Sequence, residues 1–391
     1  MSKSGPSRDG PSSTATSESG SVKSRPGIRR AIGLMSGTSL DGIDIALIET
    51  DGGAHVRPLG AASLAYPEAF RARLRQALRD ASAIVTRGDR PGCLADVERE
   101  LTDLQAAAVT RFMGDRALQP AAIDVIGFHG QTVLHRPEVG LTVQLGDGPL
   151  LARSVGVDVV YDLRAADCAA GGQGAPLVPV YHRALAMKVH ERPVAFVNIG
   201  GVANVTWIGR DGTLVAFDTG PGNALLDDWM LRHMGTARDE AGQLAATGVI
   251  HEPSLATYLA RPYFALAPPK SLDRNAFPSD VVRGLLPADG AATLTAFSAE
   301  SIARAIAHFP EVPELWIICG GGRRNLTLMA ALEARVAAPA VAAEALGFDG
   351  DTLEAEAWAY LAVRSLERLP LTFPGTTGVS EAITGGVLAP A

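Results

Sequence analysis

The sequence predicts an α/β protein built from two related domains that face a cleft. Hydrophobic residues make up 47% of the 391 residues and aromatic residues 5%, a mix typical of large α/β proteins with buried strands and alanine-rich helices. Several predicted strands run at their carboxyl ends into glycine-rich polar loops, where open α/β sheets bind ligands. A strand-turn-strand with small residues also occurs twice, at 32–48 and 195–208. This weak repetition indicates two similar domains.

The beginning of the chain is not expected to join the fold. Residues 1–28 are rich in Ser, Gly and Pro and contain almost no core-forming residues, so we predict a disordered extension. This segment lacks the apolar stretch of a signal peptide. We predict a first domain over 29–190 and a second over 191–391.

Composition bounds the class of function and the compartment. The formal net charge of -7 argues mildly against nucleic acid or an anionic membrane as partner. No run of 18 apolar residues predicts a membrane span. Cys93, Cys168 and Cys319 stand in unrelated contexts, without a CxxC pair or an even framework, which favours a reducing cytoplasm.

Hydrophobic spacing predicts alternating strands and helices along the chain. Residues 67–118 have helical spacing. Strands are expected within 32–48, 122–132, 141–148, 157–164, 195–208, 214–223 and 314–322, and helices from Ala224, near 299–308, from about 325 and over 353–368.

The turn between the first two strands is unusually small and polar. Within GLMSGTSLDGID, the turn that follows the first strand combines Gly37 and Gly42 with three hydroxyl residues and two carboxylates. A plain hairpin could use some of these residues without any chemical role. Together they indicate a loop whose backbone N–H groups cradle a phosphate, with Asp41 or Asp44 able to hold the accompanying metal ion. The GxxxxGK[ST] pattern is absent, so this loop is not a P-loop.

The second strand-turn-strand carries NIGGVANVT, and DTGPGN follows at 218–223. Paired glycines after a strand could form only a bulge. Asp218, however, ends a predicted strand, and glycines follow it before Asn223, which can cap the next helix. Such a helix start is a natural anion site. We therefore predict phosphate or metal binding here.

A third glycine-rich loop, CGGGRRN, follows the buried strand LWIIC. Three glycines let a planar ligand lie against bare backbone. An ordinary strand-to-helix turn explains this segment equally well when it is taken alone.

Residues 162–179 place a carboxylate among many small residues. Asp167 precedes three glycines, which leave room for a ligand close to the backbone. A carboxylate there could take a proton from water or a hydroxyl group as a general base. Asp162 and Arg164 could be its structural neighbours or an ordinary surface pair.

Neutral polar residues at the ends of the predicted strands suit sugar hydroxyls. They include His129, Gln131, Thr132 and Gln144. A single histidine more often has a structural role, so His129 alone indicates little. The GxSxG and HExxH patterns of hydrolases and metalloenzymes are absent. Taken alone, the residues predict a two-domain, ATP-dependent phosphotransferase of a small molecule.

These segments stand in the order seen in the anhydro-N-acetylmuramic acid kinase family, which the sequence resembles from about residue 30 to its end. The matching motifs are GLMSGTSLDGID, GFHGQT, DLRAADCAAGGQGAPLVP, NIGGVANVT, FDTGPGN and CGGGRRN. The resemblance implies two related actin-like (ribonuclease H-like) α/β domains with a central cleft that binds ATP. It also implies a reaction: ATP and Mg²⁺ are used to open the anhydro ring with water and to phosphorylate O6, in peptidoglycan recycling.

The resemblance also implies a nucleotide site. The residues expected to bind ATP are Gly37, Thr38, Ser39, Leu40, Asp41, Gly42, Ile43 and Asp44 in the first phosphate loop, Asn198, Gly200, Gly201 and Asn204 in the second, Asp218, Gly220 and Gly222 nearby, and Gly320, Gly321 and Gly322 beside the adenosine. Asp41 is the expected metal ligand. Arg323 is an unexpectedly large neighbour for an adenosine.

Asp167 matches the family's catalytic aspartate, which is expected to take a proton from the water that attacks the anomeric carbon. His129, Gln131, Thr132, Arg164 and Glu356 are the expected sugar contacts. The resemblance favours a homodimer.

Three other classes compete with a kinase. An actin-like or chaperone-like ATPase would make the Asp167 loop superfluous. A sugar-binding protein without activity would not need Asp41 and Asp167 intact. A dinucleotide-dependent oxidoreductase would show GxGxxG after the first strand, which is absent.

Overall fold

A computed structural model describes Met1, residues 27–37 and residues 40–391. Residues 2–26 of the predicted extension, and Thr38 and Ser39 of the first turn, lie outside the described residues. The strands are β1 (Arg29–Met35), β2 (Gly42–Thr50), β3 (Val56–Ala65), β4 (Val125–Phe128), β5 (Gln131–Arg136), β6 (Leu141–Leu145), β7 (Val159–Tyr161), β8 (Val194–Ile199), β9 (Val202–Ile208), β10 (Leu214–Pro221), β11 (Leu315–Cys319), β12 (Ala340–Ala342) and β13 (Val387–Ala389).

The helices and short 3₁₀ turns connect these strands. The α-helices are α1 (Glu68–Asp80), α2 (Leu94–Gly114), α3 (Gly148–Val155), α4 (Ala165–Ala169), α5 (Pro179–Ala186), α6 (Ala224–Met234), α7 (Glu252–Leu259), α8 (Pro287–Ala303), α9 (Leu326–Glu333), α10 (Leu353–Leu366) and α11 (Pro374–Thr377).

Two sheets have the same arrangement of strands. The first sheet runs β13-β7-β4-β1-β2-β3, and the second, written in the same direction, runs β12-β11-β8-β9-β10. Strand β13 is an additional edge strand of the first sheet. In each sheet the first three strands of the repeat form an antiparallel meander. Two parallel strands then follow on the other side of the first strand. The repetition at 32–48 and 195–208 corresponds to β1–β2 and β8–β9, so the prediction of two related α/β units is confirmed.

Burial explains which segments form the centre of each sheet. The short strands VIGF and LWIIC are buried at every position, as expected for parallel strands covered on both faces. The edge strand β3 is largely accessible along its length. Helices α1 and α2 cover one face of the first sheet. Helices α5 and α10 contribute to a core that contains residues from both sheets. The half of the protein built on the first sheet and the half built on the second sheet therefore share apolar packing.

Two predicted elements differ from the structure. The strand expected over 122–132 is divided into β4 and β5, because Gly130 adopts a positive φ of 70° and turns the chain. The helix expected near 299–308 begins earlier, at Pro287. Helix α8 is buried along most of its length, and a helix that is apolar on all sides lacks the amphipathic spacing that reveals a boundary.

The last part of the chain returns to the first sheet. Strand β13 pairs with β7 in antiparallel register, and α10 packs across β1 and β4. This contact is close because two strand positions are glycine. A Cβ at Gly33 would lie 1.8 Å from the carbonyl oxygen of Ala355, and one at Gly127 would lie 2.0 Å from that of Trp358. The division at 190 and 191 stays a prediction, with α10 and β13 lying against the first half.

Two further findings concern the whole described chain. None of its described helices is both long and apolar enough to cross a bilayer. Cys93, Cys168 and Cys319 are free thiols.

We predict that Gly33→Ala lowers the free energy of unfolding by about 3 kcal/mol, because the added methyl group meets the backbone of α10 and not a movable side chain. Chemical unfolding followed by circular dichroism measures this. Gly114→Ala is the control, since a Cβ there meets nothing within 4 Å and alanine favours the helix. Equal stability of the two variants would show that α10 does not press on β1.

Candidate active site between the two sheets

The first polar turn lies at the carboxyl end of β1, and hydrogen bonds among the side chains of Ser36, Tyr66 and Gln131 support it. Ser36 is buried and donates to Gln131 Oε1 at 2.7 Å. Tyr66 donates to Ser36 Oγ at 2.9 Å, and Gln131 Nε2 donates to the carbonyl of Gly37 at 3.3 Å. Gln131, expected to contact sugar, therefore supports the turn.

The described residues in the second part of this turn include both buried and exposed side chains. The amide of Leu40 donates to the carbonyl of Gly37 at 3.2 Å, and Leu40 has a φ of 57°. Ile43 packs in the core of the first half. Asp41 is exposed.

Asp44 is the inner of the two carboxylates at this turn, close to the start of β2. Ser63 Oγ donates to it at 2.5 Å. Burial raises the pKa of Asp44, and repulsion from Asp41 adds to this effect, against the lowering effect of the Ser63 hydrogen bond. A cation would be favoured beside this pair of carboxylates.

The second turn joins directly to the start of α6. The amides of Gly222, Asn223 and Ala224 donate to carbonyls of Gly200 and Gly201 at 2.8 to 3.1 Å. A Cβ at Gly222 would lie 2.3 Å from the carbonyl oxygen of Gly200, so only glycine allows this approach. The segments at 198–204 and 218–223, separate in sequence, thus form one glycine-rich surface, and phosphate or metal binding there stays a prediction.

The third glycine loop reaches the same surface. Gly320 has a φ of 71°, and a Cβ there would lie 2.3 Å from Asn198 Oδ1. Gly321 and Gly322 begin a short 3₁₀ turn. Arg323 points away from this surface: it is buried and pairs with Glu344 and Asp351 at 2.7 and 2.8 Å. It therefore leaves Gly321 exposed, whereas Gly322 is buried against Ile199.

Asp218 lies beside these loops within β10, where the pairing with β9 shifts register between Asp218 and Gly220; the strand continues to Pro221 and does not end at Asp218 as the sequence predicted. Its Oδ2 accepts from the amide of Leu272 at 2.8 Å. Its own amide donates to the carbonyl of Lys270 at 3.1 Å. Burial raises the pKa of Asp218 to about 7, against the lowering effect of the Leu272 amide.

Asp167 is buried in the short helix α4, with both carboxylate oxygens held. Oδ1 accepts from the amide of Gly174 at 2.6 Å, and Oδ2 accepts from Thr377 Oγ1 at 2.6 Å. The neighbouring Cys168 is inert as a nucleophile, because burial and then the charge of Asp167 raise the pKa of its thiol to about 11.

His129 joins the first turn to the Asp167 segment. Its Nδ1 lies 3.1 Å from the carbonyl oxygen of Ser36, and its Nε2 accepts from Arg164 at 3.2 and 3.3 Å. An arginine only donates, so His129 is neutral and carries its proton on Nδ1. Burial, and then the charge of Arg164, hold the pKa of His129 well below its usual range. Arg164 Nη1 donates to the carbonyl of Gly174 at 2.8 Å. A chain of hydrogen bonds therefore runs from Ser36 through His129 and Arg164 to Gly174.

Trp358 on α10 packs against both His129 and Arg164. The ring centroids of His129 and Trp358 are 4.5 Å apart, and the guanidinium of Arg164 lies 5.1 Å from a ring centroid of Trp358. Burial lowers the pKa of Arg164 to about 10, so the guanidinium keeps its charge at neutral pH.

Glu354, which the sequence analysis did not single out, connects the two halves. Asn198 Nδ2 in the second turn donates to Glu354 Oε1 at 2.8 Å. Burial raises the pKa of Glu354, and Asp44 adds to this, against the lowering effect of Arg164. Glu354 and Trp358 are four residues apart and therefore share one face of α10, but the sequence alone does not show that this face is turned to the cleft.

Glu356 does not reach this cleft and is not a sugar contact in this structure. It is buried, accepts from Tyr181 Oη and from Thr352 Oγ1, and lies two helical positions from Glu354, on another face of α10. Thr132 lies on the β5–β6 hairpin, where its Oγ1 accepts from Gln144 Nε2 at 3.2 Å. No group of three His, Cys, Asp or Glu side chains suited to a metal ion occurs within the part of the chain described.

Two sheets with this strand order, glycine-rich turns on both, and a held carboxylate between them define an actin-like phosphotransferase. The family model for anhydro-N-acetylmuramic acid kinase matches residues 29–391. The chain therefore belongs to the anhydro-N-acetylmuramic acid kinase family, and it is an ATP-dependent carbohydrate kinase.

Curated relatives agree over nearly the whole chain. The anhydro-N-acetylmuramic acid kinase of Bradyrhizobium diazoefficiens is 54% identical over 362 residues, which cover 92% of this chain and 98% of that protein. The enzyme of the same name from Methylobacterium nodulans is 53% identical over 371 residues, covering 92% and 99%.

A solved structure resembles the chain more distantly. The activator of the 2-hydroxyisocaproyl-CoA dehydratase from Clostridium difficile with bound ADPNP has a TM-score of 0.43 and 12% identity, and the match covers 87% of this chain and 97% of that one.

We predict that Asp218→Asn changes the pH dependence of stability. The folded state of the wild type keeps a proton on Asp218 up to about pH 7, whereas the unfolded chain loses it near pH 4. The stabilising effect of that proton is complete below pH 4 and is lost as pH rises to 7. Wild-type stability relative to the variant should therefore fall by up to about 1.4 kcal/mol per pH unit between pH 4 and 7. Urea unfolding at several pH values measures this, and parallel profiles would contradict the raised pKa.

Proposed function

We propose that the cleft converts 1,6-anhydro-N-acetylmuramic acid, water and ATP to N-acetylmuramic acid 6-phosphate and ADP, with Asp167 as the general base. The reaction is that of the family, and it places the chain in peptidoglycan recycling. The observation that carries the role of Asp167 is its position: it is buried, held by Gly174 and Thr377, and joined through Arg164 and His129 to the first turn.

The chemistry requires one base. Water attacks the anomeric carbon and gives a proton to Asp167 while the bond from that carbon to O6 breaks. O6 leaves with the electron pair and attacks the γ-phosphorus of ATP, and the bond to the leaving ADP oxygen breaks. Asp167 then releases its proton to solvent. Phosphoryl transfer of this kind depends mainly on positioning and charge stabilisation.

Hydrogen bonds fix the direction of the base. Gly174 and Thr377 each occupy one carboxylate oxygen of Asp167, so the remaining lone pairs have a defined direction for water. A general base must lie within hydrogen-bond reach of the proton that it takes. This arrangement supports Asp167 as the general base, and the neighbouring thiol of Cys168 has no role in the reaction.

Arg164 supplies positive charge where O6 becomes negative. Its hydrogen bonds go to the neutral acceptors His129 and Gly174, so no carboxylate among the described residues forms a direct ion pair with it. Preorganised charge in a site that excludes water stabilises a transition state more than the same charge in solvent. His129 positions Arg164 and is not itself an acid or a base.

The glycine surfaces are the proposed nucleotide site. The turn from Gly37 to Asp44 and the second turn with Asp218 face the phosphates, and the glycines at 320–322 face the adenosine. The start of α6 favours an anion through the positive end of the helix dipole, while the amides of Gly222, Asn223 and Ala224 hold the second turn in place. Glu354 fixes Asn198 in this site from the opposite half.

Mg²⁺ fits the carboxylates of the first turn. Asp41 and Asp44 repel each other, and Mg²⁺ is usually held by one or two carboxylates together with phosphate oxygens. Asp41 is the proposed ligand, with Asp44 beside it. When bound, the ion neutralises charge on the phosphates.

A homodimer and a cytoplasmic location are also proposed. The location follows from the need for ATP and agrees with three free thiols. The dimer depends on the resemblance noted from the sequence.

We predict that Asp167→Asn lowers turnover by about 10² to 10⁴-fold, because the amide keeps the shape but cannot accept the proton. Binding of ATP should be unchanged, as measured by calorimetry, because the nucleotide surfaces lie on other segments. Asp211→Asn, the same change at an exposed turn of the second half, is the control and should retain full turnover. Wild-type turnover in Asp167→Asn would remove this residue from the role of base.

A further inference from the structure

A pocket of about 100 Å³ opens beside the candidate site, between the β5–β6 hairpin and the segment after β7. Arg87, His129, Gln144, Tyr161 and Asp162 are among its lining residues. We call it the hairpin pocket. It is smaller than a site for a whole small molecule, and its size suits substituents of a ligand bound at the neighbouring site.

The hairpin pocket is next to the catalytic segment. His129 lines the pocket and also accepts hydrogen bonds from Arg164. The β5–β6 hairpin also touches the residue after Asp167, because a Cβ at Gly140 would lie 3.4 Å from the carbonyl oxygen of Cys168. A sugar placed at Asp167 therefore has its substituents within reach of this pocket.

Two arginines line the pocket, and only Arg87 has donors to spare. Arg90 uses Nε and Nη2 on Glu98 and Nη1 on the carbonyls of Arg87 and Asp89. Arg87 uses Nε on the carbonyl of Thr142 at 3.3 Å and Nη2 on Asp162. Its Nη1 has no hydrogen bond to any residue that the structure describes, and the side chain is 46% exposed. Arg87 is thus a cationic donor at the pocket mouth.

Gln144 offers the complementary group, an acceptor. Its Nε2 donates to Thr132 Oγ1 at 3.2 Å and to Thr142 Oγ1 at 2.8 Å, which fixes the amide. Its Oε1 is buried and has no hydrogen-bond partner among the described residues. A buried acceptor without a donor costs free energy until a ligand supplies one.

The pocket therefore suits a ligand with a carboxylate close to a neutral N–H donor. Apolar side chains on its wall, including Phe128 and Val143, suit small methyl groups. The sugar of the proposed reaction carries these groups on adjacent carbons: an acetamido group at C2 and a lactyl ether with a carboxylate at C3.

We infer that the hairpin pocket binds the C2 and C3 substituents of the sugar, with Arg87 on the lactyl carboxylate and Gln144 Oε1 on the acetamido N–H. This inference depends on the proposed function. The carboxylate competes with Asp162 for Arg87, and charge-assisted bonds of this kind are the stronger ones. Arg87 and Gln144 are thus specificity-determining residues for an acidic amino sugar.

The test compares two sugars that differ only in the lactyl arm. Turnover is measured with 1,6-anhydro-N-acetylmuramic acid and with 1,6-anhydro-N-acetylglucosamine, for the wild type, Arg87→Gln and Arg87→Lys. Arg87→Gln should raise KM for the acidic sugar about ten- to hundredfold and leave kcat nearly unchanged, because a charge-assisted hydrogen bond is lost. KM for the sugar without the arm should change less than about twofold. Arg87→Lys should recover part of the loss, because it keeps the charge without the fork of donors.

Two further variants separate recognition from structure. Asp162→Asn removes the competing carboxylate, and asparagine tolerates the positive φ of 55° at this position. It should lower KM for the acidic sugar or leave it unchanged, opposite to Arg87→Gln. Arg210→Gln removes a comparable surface ion pair with Glu314, far from the pocket in the second half, and should change neither KM.

The outcomes are distinct. If the wild type does not turn over the second sugar, its inhibition constant against the first replaces KM, and a lack of inhibition shows that binding requires the arm. An equal rise of KM for both sugars in Arg87→Gln, or a rise in Asp162→Asn that matches it, overturns the inference. Absence of turnover of the acidic sugar by the wild type defeats the proposed function instead.

Discussion

The close packing of α10 on the first sheet is the contact on which the rest of the site depends. Glycine at positions 33 and 127 allows the helix backbone to touch β1 and β4. That approach brings Trp358 under His129 and Arg164, and it brings Glu354 within hydrogen-bond distance of Asn198 in the second half. One helix from the end of the chain therefore supports the Asp167 segment and links the two glycine-rich surfaces.

Burial sets the charge states in the cleft, and in each case the size of the effect decides the role. It lowers the pKa of Arg164 only to about 10, so the guanidinium remains positive at neutral pH and can stabilise an anion. It lowers the pKa of His129 so far that the imidazole stays neutral, which suits a residue that transmits position. It raises the pKa of Glu354 and Asp44, two carboxylates whose negative charges repel each other, a repulsion that a cation would relieve.

Much of the fold and of the site could be predicted from the sequence, because glycine-rich turns after buried strands are local patterns. The two strand-turn-strand units followed from such patterns, whereas a shared nucleotide site at Asn198, Asp218 and Gly320 was expected only from the family resemblance. Side-chain direction could not be predicted in the same way. Glu354 and Glu356 stand in one alanine-rich helix, and only tertiary packing shows that Glu354 faces the cleft while Glu356 binds Tyr181. The support of the first turn by Gln131 and the pairing of β13 with β7 likewise depend on long-range contacts.

The central claim is that one carboxylate serves a water attack that is coupled to phosphoryl transfer, and isotope labelling in a single turnover assay tests it most directly. The protein is incubated with ATP, Mg²⁺ and 1,6-anhydro-N-acetylmuramic acid in ¹⁸O-labelled water, and the product is analysed by mass spectrometry immediately after quenching. The account predicts a sugar 6-phosphate that carries one ¹⁸O at the anomeric carbon and none in the phosphate, in a one-to-one ratio with ADP. Release of ADP with ¹⁸O in free phosphate and an unchanged sugar would contradict it, since water would then attack ATP and not the ring.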